Sequence, residues 1–307
     1  MLQHTGIARV SARTQLAELA FFSAKNALSC LFPASIFACL ALLRQVPYRY
    51  DVMLVLCLAI QWWMVRTGLE TRDEAKAITL FHVLGLAMEV HKVHIGSWAY
   101  PDHALTKVFG VPLYSGFMYA SVASFMCQAW RHFDLRFEGW PRTGVALAFA
   151  ALLYANFVTN HYIHDLRWPL IAATFVIFRK TRVAFTAHVT TRRMPMILAF
   201  FLIAIFVWFG ENIGTYLGAW RYPHQALAWE PVHLSKVSSW FCLVIVSLVL
   251  VGELKRIKLG EHRASGVFSS PDCAARPSRR RCRRRKASTG PRRSRRRRGT
   301  RTIRPSP

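Results

Sequence analysis

The sequence predicts an all-α protein, a polytopic membrane helical bundle of about eight transmembrane helices arranged as two parallel four-helix repeats. Three observations predict this fold class. The chain contains eight separate apolar runs, its Lys and Arg residues alternate between the segments that join these runs, and one 17-residue motif occurs twice.

The apolar runs come first. A helix that crosses the hydrocarbon core of a bilayer needs about 20 predominantly apolar residues. With their Trp, Tyr, Ser and Thr flanks, eight runs approach this length, and they lie at 27–43, 52–65, 77–90, 110–130, 144–158, 168–178, 194–210 and 238–252. The sixth run is so short that it also fits a re-entrant or buried segment.

Lys and Arg residues predict the topology, because the cytoplasmic loops of membrane proteins are enriched in them. The segments before the first, third, fifth and seventh runs hold fourteen Lys and Arg residues, whereas the segments after these runs hold seven. The pattern predicts a multi-pass protein with both termini in the cytoplasm.

The predicted loops divide the chain. We expect a cytoplasmic N-terminal segment at 1–25, a first four-helix repeat at 26–130, a cytoplasmic linker at 131–142, a second repeat at 143–253 and a basic tail at 254–307.

The tail supplies +16 of the formal net charge of +26, since the stretch from Arg276 to Arg304 contains 15 Arg, one Lys and no acidic residue. Such a composition predicts disorder. Three interpretations stay open: the product of a shifted reading frame, a solvated tail at an anionic membrane surface, or a nucleic-acid-binding segment. No aromatic residue is interleaved with the arginines, which argues against base stacking, and we predict no nucleic-acid partner.

The repeated motif reads EVHKVHIGSWAYPDHAL from Glu89 and ENIGTYLGAWRYPHQAL from Glu211. Seven of the seventeen positions are identical, and the copies begin 122 residues apart. Each copy starts at the end of an odd-numbered apolar run, so the two copies have the same predicted orientation, as in parallel repeats.

The two glutamates are the candidate catalytic residues. An ionisable side chain inside a membrane is costly and by default indicates function, and two carboxyl groups brought together can act as an acid and a base. The structural alternative is an ion pair, for which Lys92 lies three residues after Glu89 on the same helix.

The aromatic residues of the motif have two interpretations. Trp98, Tyr100, Trp220 and Tyr222 are typical anchors at a membrane–water interface, or they line a site beside the glutamates. We predict substrate contacts for these four, and for Asn212 and Gln225 in the second copy.

A third polar cluster, NFVTNHYIHDLR, lies between the copies. If this stretch is helical, His161, His164 and Asp165 share one face. His161 and Asp165 complete the predicted catalytic set as protonatable groups, with a structural Asp165–Arg167 pair as the alternative. The H-x-x-H spacing is a weak metal signal and is lost in the second copy of the motif, so we predict no metal and no cofactor.

Long stretches, including KNALSCLFPASIF, YANFVTNHYIHDLR and GENIGTYLGAWRYPHQALAWEPVHLSKVSSWF, resemble the YoaT-like bacterial integral membrane proteins over roughly residues 15–260. That family has no assigned activity. The resemblance implies a multi-pass protein of the bacterial plasma (inner) membrane.

A looser resemblance concerns chemistry. A span that ends in Glu, followed by Gly, an aromatic turn and GVPL, looks like bacterial carotenoid-modifying membrane proteins of the lycopene cyclase and carotenoid hydratase types. It implies acid/base modification of an isoprenoid-type substrate in the outer half of the membrane. The alternatives are a proton-coupled small-molecule transporter and a non-catalytic scaffold. The predicted partners are membrane lipid and a hydrophobic small molecule, and the oligomeric state stays open.

Overall fold

The computed structural model describes the backbone of residues 12–264 and the side chains of residues 13–256. This part of the chain is mostly helical. Its helices are α1 (Ala12–Ser29), α2 (Leu31–Leu42), α3 (Arg49–Arg66), α4 (Arg72–His94), α5 (Ser115–His132), α6 (Thr143–Thr159), α7 (Arg167–Ile177), α8 (Met196–Tyr216) and α9 (Lys236–Ala264).

Each predicted apolar run overlaps one of the helices α2 to α9, although the first run begins within α1 and the fourth run begins before α5. Helix α1 was not predicted. It begins at Ala12 and crosses the predicted boundary between 1–25 and 26–130. It joins α2 through a 63° bend next to Cys30.

Two helices, Met196–Tyr216 and Lys236–Arg256, are long and apolar enough to cross a membrane, and the bent pair of α1 and α2 provides a third if it forms one span. Helices α6 and α7 are apolar but shorter. The structure therefore supports two or three helices of spanning length among the described residues. Eight spans and two four-helix repeats stay predictions.

Five short strands in the described part of the chain are an exception to the all-α prediction. Strands β1 (Lys107–Val108) and β2 (Val111–Pro112) form an antiparallel pair, and β3 (Arg136–Glu138), β4 (Arg182–Thr186) and β5 (Thr191–Pro195) form an antiparallel sheet in that order. Strands of two to five residues are too short for an alternating pattern to show. The predicted linker 131–142 thus contains strand β3.

Local chemistry fixes the start of α4. The Thr71 side chain accepts a hydrogen bond from the Glu74 backbone N–H at 3.2 Å, and the Glu74 side chain accepts one from the Thr71 N–H at 2.9 Å. This reciprocal capping box satisfies two backbone donors that the first turn leaves free. Glu74 also accepts a hydrogen bond from Lys255 at 2.8 Å, which connects α4 with α9.

Close packing between α4 and α5 places one of the aromatic residues of the site. A Cβ atom added at Gly85 would lie 2.4 Å from the ring of Tyr119, so only glycine leaves room for this ring. Tyr119 is thereby held against α4, one turn before Glu89.

The chain separates into two compact units, Met1–Glu261 and His262–Pro307. All contacts given below lie in the first unit. Helix α9 continues to Ala264, beyond the predicted start of the basic tail at 254. The predictions for 265–307 concern residues outside the described part of the chain.

Candidate functional site

Each copy of the repeated motif begins on a helix and turns back sharply at its glycine. In the first copy Gly96 has φ +73°, and the Ser97 N–H donates to the Lys92 carbonyl at 2.9 Å. In the second copy Gly218 has φ +71°, and the Ala219 N–H donates to the Gly214 carbonyl at 2.9 Å.

Both turns are Schellman motifs, in which glycine adopts the left-handed conformation that other residues adopt at a cost. The turn reverses the chain, so the aromatic residues that follow fold back onto the helix that precedes them. The glycine common to both copies therefore folds the following residues back onto the helix, so that the motif Tyr of each copy reaches its Glu.

Glu89 accepts hydrogen bonds from three aromatic side chains. Trp98 Nε1 and Tyr100 OH both donate to Oε2 at 2.7 Å, and Tyr119 OH donates to Oε1 at 2.6 Å. Glu89 is only 2% exposed. The carboxyl group is thus shielded from solvent, and both of its oxygens have partners.

Glu211, which is 4% exposed, has a related but different environment. Tyr222 OH donates to Oε1, as Tyr100 donates to Glu89, and Trp240 Nε1 from α9 donates to Oε2 at 2.6 Å. The motif tryptophan of this copy, Trp220, packs instead against Gly214, where an added Cβ would lie 2.5 Å from the indole. In both copies the motif tyrosine donates to the glutamate. The indole donor belongs to the motif at Glu89 but to helix α9 at Glu211.

The two turns are joined at equivalent positions. Ala99 and Arg221 occupy the same place in the aligned copies, and each backbone N–H donates to the carbonyl of the other at 2.9 Å. An exchange of both bonds between equivalent residues is the contact expected around a local two-fold axis.

Glu89 and Glu211 line one cavity of about 170 Å³. Their carboxyl groups share its wall with Trp98, Trp220, Tyr222, Tyr119, Trp240 and Lys236. The remaining wall comes mostly from aliphatic and aromatic side chains of α2, α5, α8 and α9, among them Ile36, Phe37, Phe125, Val207 and Leu243. The prediction that the two motifs bring their acidic residues to a common pocket agrees with this geometry.

Among the described residues that line this cavity, Lys236 is the one lysine. Its Nζ lies 4.6 Å from the ring centroid of Tyr222 and 5.7 Å from that of Trp98, distances at which a cation is attracted to an aromatic face. Among the residues whose side chains are described, neither Glu89 nor Glu211 forms an ion pair. The carboxyl groups are therefore held by neutral donors.

The ion pair considered between Glu89 and Lys92 does not form. The Lys92 ammonium donates to Asn160 Oδ1 at 3.1 Å and lies 4.5 Å from the centre of the Phe157 ring. The ion pair with Lys92, which was the structural alternative for Glu89, is therefore wrong.

His161 and Asp165 lie outside the cavity wall. Residues 160–166 are a non-helical connection, so the expected shared helix face of His161, His164 and Asp165 is wrong. His161 Nδ1 lies 2.7 Å from Asn160 Oδ1. Asp165 forms an ion pair with Arg167 at 3.0 Å and accepts a hydrogen bond from the Arg167 N–H at 2.9 Å. These contacts agree with the structural Asp165–Arg167 pair, which was the alternative to a catalytic role.

Two predicted substrate contacts have backbone roles instead. Asn212 Oδ1 accepts from the Val232 N–H at 2.9 Å, and its amide donates to the Trp208 carbonyl at 2.8 Å. Gln225 belongs to the short 3-10 turn Pro223–Gln225, where its Oε1 accepts from the Tyr222 N–H at 3.2 Å. Both residues shape the loops around the second motif without lining the cavity that holds the glutamates.

Three residues of the site were missed from the sequence: Tyr119, Trp240 and Lys236. A signal was present, because an aromatic residue follows Glu89 by thirty positions and Glu211 by twenty-nine. Both of these aromatic residues lie near the start of the helix after the motif, so the spacing reflects a common geometry.

Comparison with known proteins identifies a family. The model described as "Protein of unknown function (DUF817)" matches residues 18–248. The chain is 51% identical over 245 residues to the "Uncharacterized protein YoaT" of Bacillus subtilis (strain 168), a match that covers 78% of this chain and 93% of the relative.

Two solved structures show a weaker likeness. A cross-linked trimer of MvINS is 18% identical with a TM-score of 0.44, covering 61% of this chain and 95% of that chain. A mycobacterial Insig homolog, MvINS from Mycobacterium vanbaalenii, is 17% identical with a TM-score of 0.43, covering 59% and 93%. Neither likeness is strong enough to bear on fold or activity. The family match, by contrast, spans most of the chain, and the protein belongs to the DUF817 family, whose function is unknown.

Proposed function

We propose that the protein binds the reacting end of a hydrophobic, isoprenoid-type molecule in the shared cavity, and that Glu89 and Glu211 exchange protons with it. The single observation that carries this proposal is the pair of buried carboxyl groups, without ion-pair partners among the described side chains, which line one otherwise largely apolar cavity. A positioned carboxyl group within reach of its substrate is a general acid or base.

The unequal surroundings of the two carboxyl groups support a division of labour. Glu89 accepts three neutral hydrogen bonds, whereas Glu211 accepts two and also experiences the positive charge of Lys236. An acid/base pair needs one proton donor and one proton acceptor. Unequal environments give two chemically identical carboxyl groups different proton affinities.

The shape of the cavity supports a hydrophobic substrate with a polar end. On α5 the wall extends from Met118 to Phe125, and on α9 from Lys236 to Leu243. Each stretch spans about 10 Å at 1.5 Å per residue. Tyr119, whose hydroxyl reaches Glu89, and Lys236 lie at the start of these stretches, whereas the apolar residues Phe125 and Leu243 lie at their ends.

The volume of about 170 Å³ limits what enters. Pockets that enclose a whole drug-sized ligand hold about 300–1,000 Å³. We therefore propose that only the reacting end of a long chain occupies the cavity. The remainder would lie among the apolar helices, in a multi-pass protein of the bacterial inner membrane with eight spans and both termini in the cytoplasm.

The test compares lipid extracts by mass spectrometry. A strain without the gene is complemented with the wild type, Glu89→Gln, Glu211→Gln or Glu253→Gln. Glu253 is a matched control, because it is also buried and accepts a hydrogen bond from an indole, that of Trp140 at 2.8 Å, but it does not line the cavity.

We expect the wild type and Glu253→Gln to restore an isoprenoid or pigment species that both cavity variants fail to restore. Identical extracts from the gene-deleted strain and the wild type would reject the proposal. Proton-driven uptake of a soluble compound into proteoliposomes, lost in the same two variants, would support the transporter alternative instead.

A further inference from the structure

A second cavity, of about 300 Å³, lies beside the turn that ends α8. It is formed by the connection between α2 and α3, the end of α8, and the segment from Arg221 to Trp229. Among the described residues, it shares no lining residue with the cavity that holds the glutamates. Any ligand of this cavity would therefore bind apart from the proposed substrate.

The wall of this second cavity is positively charged. Of the described residues, three arginines, Arg44, Arg49 and Arg221, face it together with one carboxylate, that of Asp102. Arg49 stabilises the fold, because it forms an ion pair with Asp102 and donates to the carbonyls of Leu217, at 3.0 Å, and Gly218. The carboxylate of Asp102 is thereby neutralised.

The positive charges of Arg44 and Arg221 are available to a ligand. Within the part of the chain whose side chains are described, neither of them forms an ion pair. The Arg44 guanidinium lies 5.5 Å from the centre of the Tyr216 ring, an arrangement that leaves its N–H groups available to an acceptor. Two guanidinium groups facing one polar cavity match the geometry of a phosphate or carboxylate, each of which can accept paired N–H bonds.

Apolar side chains adjoin the arginines. Trp229 and Tyr216 make an edge contact with ring centroids 5.3 Å apart, and Leu227 beside them is fully exposed. Exposed aromatic residues together with Arg are typical of the level of the lipid headgroups. The oxyanion is therefore best supplied by an amphiphile, with its apolar part against these side chains.

We propose that this cavity is a binding site for a phosphate-type oxyanion, held by Arg44 and Arg221. The inference does not depend on the proposed chemistry of the glutamates. Two molecules supply such an oxyanion: an anionic phospholipid, through its headgroup, and a free phosphate ion. The experiment distinguishes between them.

Binding is measured by thermophoresis of the purified full-length protein in a neutral detergent. The probes are dihexanoyl phosphatidic acid, dihexanoyl phosphatidylcholine and inorganic phosphate. The variants are Arg44→Gln, Arg221→Gln, their combination, and Arg179→Gln, an exposed arginine that does not line the cavity. Thermal unfolding of each variant shows whether it folds, and only variants that unfold like the wild type are compared.

We expect phosphatidic acid to bind more tightly than phosphatidylcholine, with a loss of about 10-fold for each single variant and more for the combination. Arg179→Gln should bind like the wild type. If inorganic phosphate binds as tightly as phosphatidic acid, the site takes the free ion; if it binds much more weakly, the site takes the lipid. Equal affinity of the combined variant and the wild type for both phosphate probes, or equal losses in Arg179→Gln, would overturn the proposal.

Discussion

Ala99 and Arg221, 122 residues apart in the sequence, exchange two backbone hydrogen bonds of 2.9 Å and thereby join the two copies of the motif at equivalent positions. The chain on either side of this contact carries Trp98, Tyr100 and Tyr222, which donate to the glutamates. The relative placement of Glu89 and Glu211 therefore depends on the two glycine turns that lead into it.

Substituting the turn glycines should destabilise the protein unequally. At Gly96 an added Cβ meets no atom within 4 Å, so Gly96→Ala incurs only the cost of the positive φ, about 1 kcal/mol. At Gly218 the added Cβ also lies 3.1 Å from the Arg49 guanidinium, so Gly218→Ala should cost more. Equilibrium unfolding in mixed micelles measures both.

Gly144→Ala is the control for these variants, because Gly144 lies in α6 with open space around it and without a positive φ. Alanine favours a helix over glycine, so this change should be neutral or slightly stabilising. A loss of stability in Gly96→Ala no greater than that in Gly144→Ala would contradict the assigned role of the turn.

Removing one hydroxyl from the site should cost stability. Tyr100→Phe deletes a donor to the buried Glu89, and we expect a loss of about 1–2 kcal/mol. The same change in a Glu89→Gln background should cost less, because the charge-assisted part of the bond is already absent. Tyr162→Phe, at a tyrosine that is 67% exposed, should have no effect; equal losses at positions 100 and 162 would speak against the hydrogen bond.

Filling the space at Gly214 should disturb the cavity wall. The methyl group of Gly214→Ala would lie 2.5 Å from the Trp220 ring, and such overpacking typically costs about 1–3 kcal/mol. Since Trp220 lines the cavity, the amount of hydrophobic ligand that co-purifies should fall as well. Gly210→Ala, whose nearest contact would be 3.2 Å from Phe37, should have a smaller effect on both measurements; the reverse order would contradict this account.

His161 predicts a dependence of stability on pH. Although His161 is exposed, partial desolvation by its neighbours, followed by the positive charge of Lys92, lowers the pKa of its imidazole from the ordinary value of 6.5. The unfolded chain therefore binds this proton more readily than the folded one, and stability is lost as the pH falls through 6.5.

Replacing the imidazole removes this contribution. The unfolding temperature of His161→Gln should decrease less between about pH 8 and about pH 5.5 than that of the wild type. His94→Gln, at another exposed histidine, serves as the control. An unchanged pH profile in His161→Gln would show that this histidine does not contribute.

The sequence placed Glu89 and Glu211 together because they begin matching motifs at the ends of apolar runs, and both line one cavity; their catalytic role stays a prediction. The motif tyrosines were predicted as substrate contacts; Tyr222 lines the cavity, whereas Tyr100 lies outside its wall, and both donate to a glutamate. Such local relationships survive in any packing of the helices.

The remaining site residues depend on packing between distant elements. Tyr119 and Trp240 reach the glutamates only because α5 and α9 are rotated to face them, and a similar spacing after each glutamate does not by itself show that rotation. Asn212 and Gln225 were misassigned for a different reason. Amide side chains next to turns satisfy backbone N–H groups that lack helical partners, a demand that competes with ligand binding.

The two glutamates accept hydrogen bonds from indoles at different places: Trp98 of the motif donates to Glu89, whereas Trp240 of α9 donates to Glu211. This difference has a consequence for how such a site arises. Two separate half-length chains related by a symmetry axis must present the same carboxyl group in the same surroundings twice. Once both halves belong to one polypeptide, Trp240 can replace the motif tryptophan at Glu211 while Glu89 keeps its own. Because both copies of the motif belong to one polypeptide, a substitution can change the surroundings of one carboxyl group and leave those of the other unchanged, whereas a substitution in identical subunits changes both.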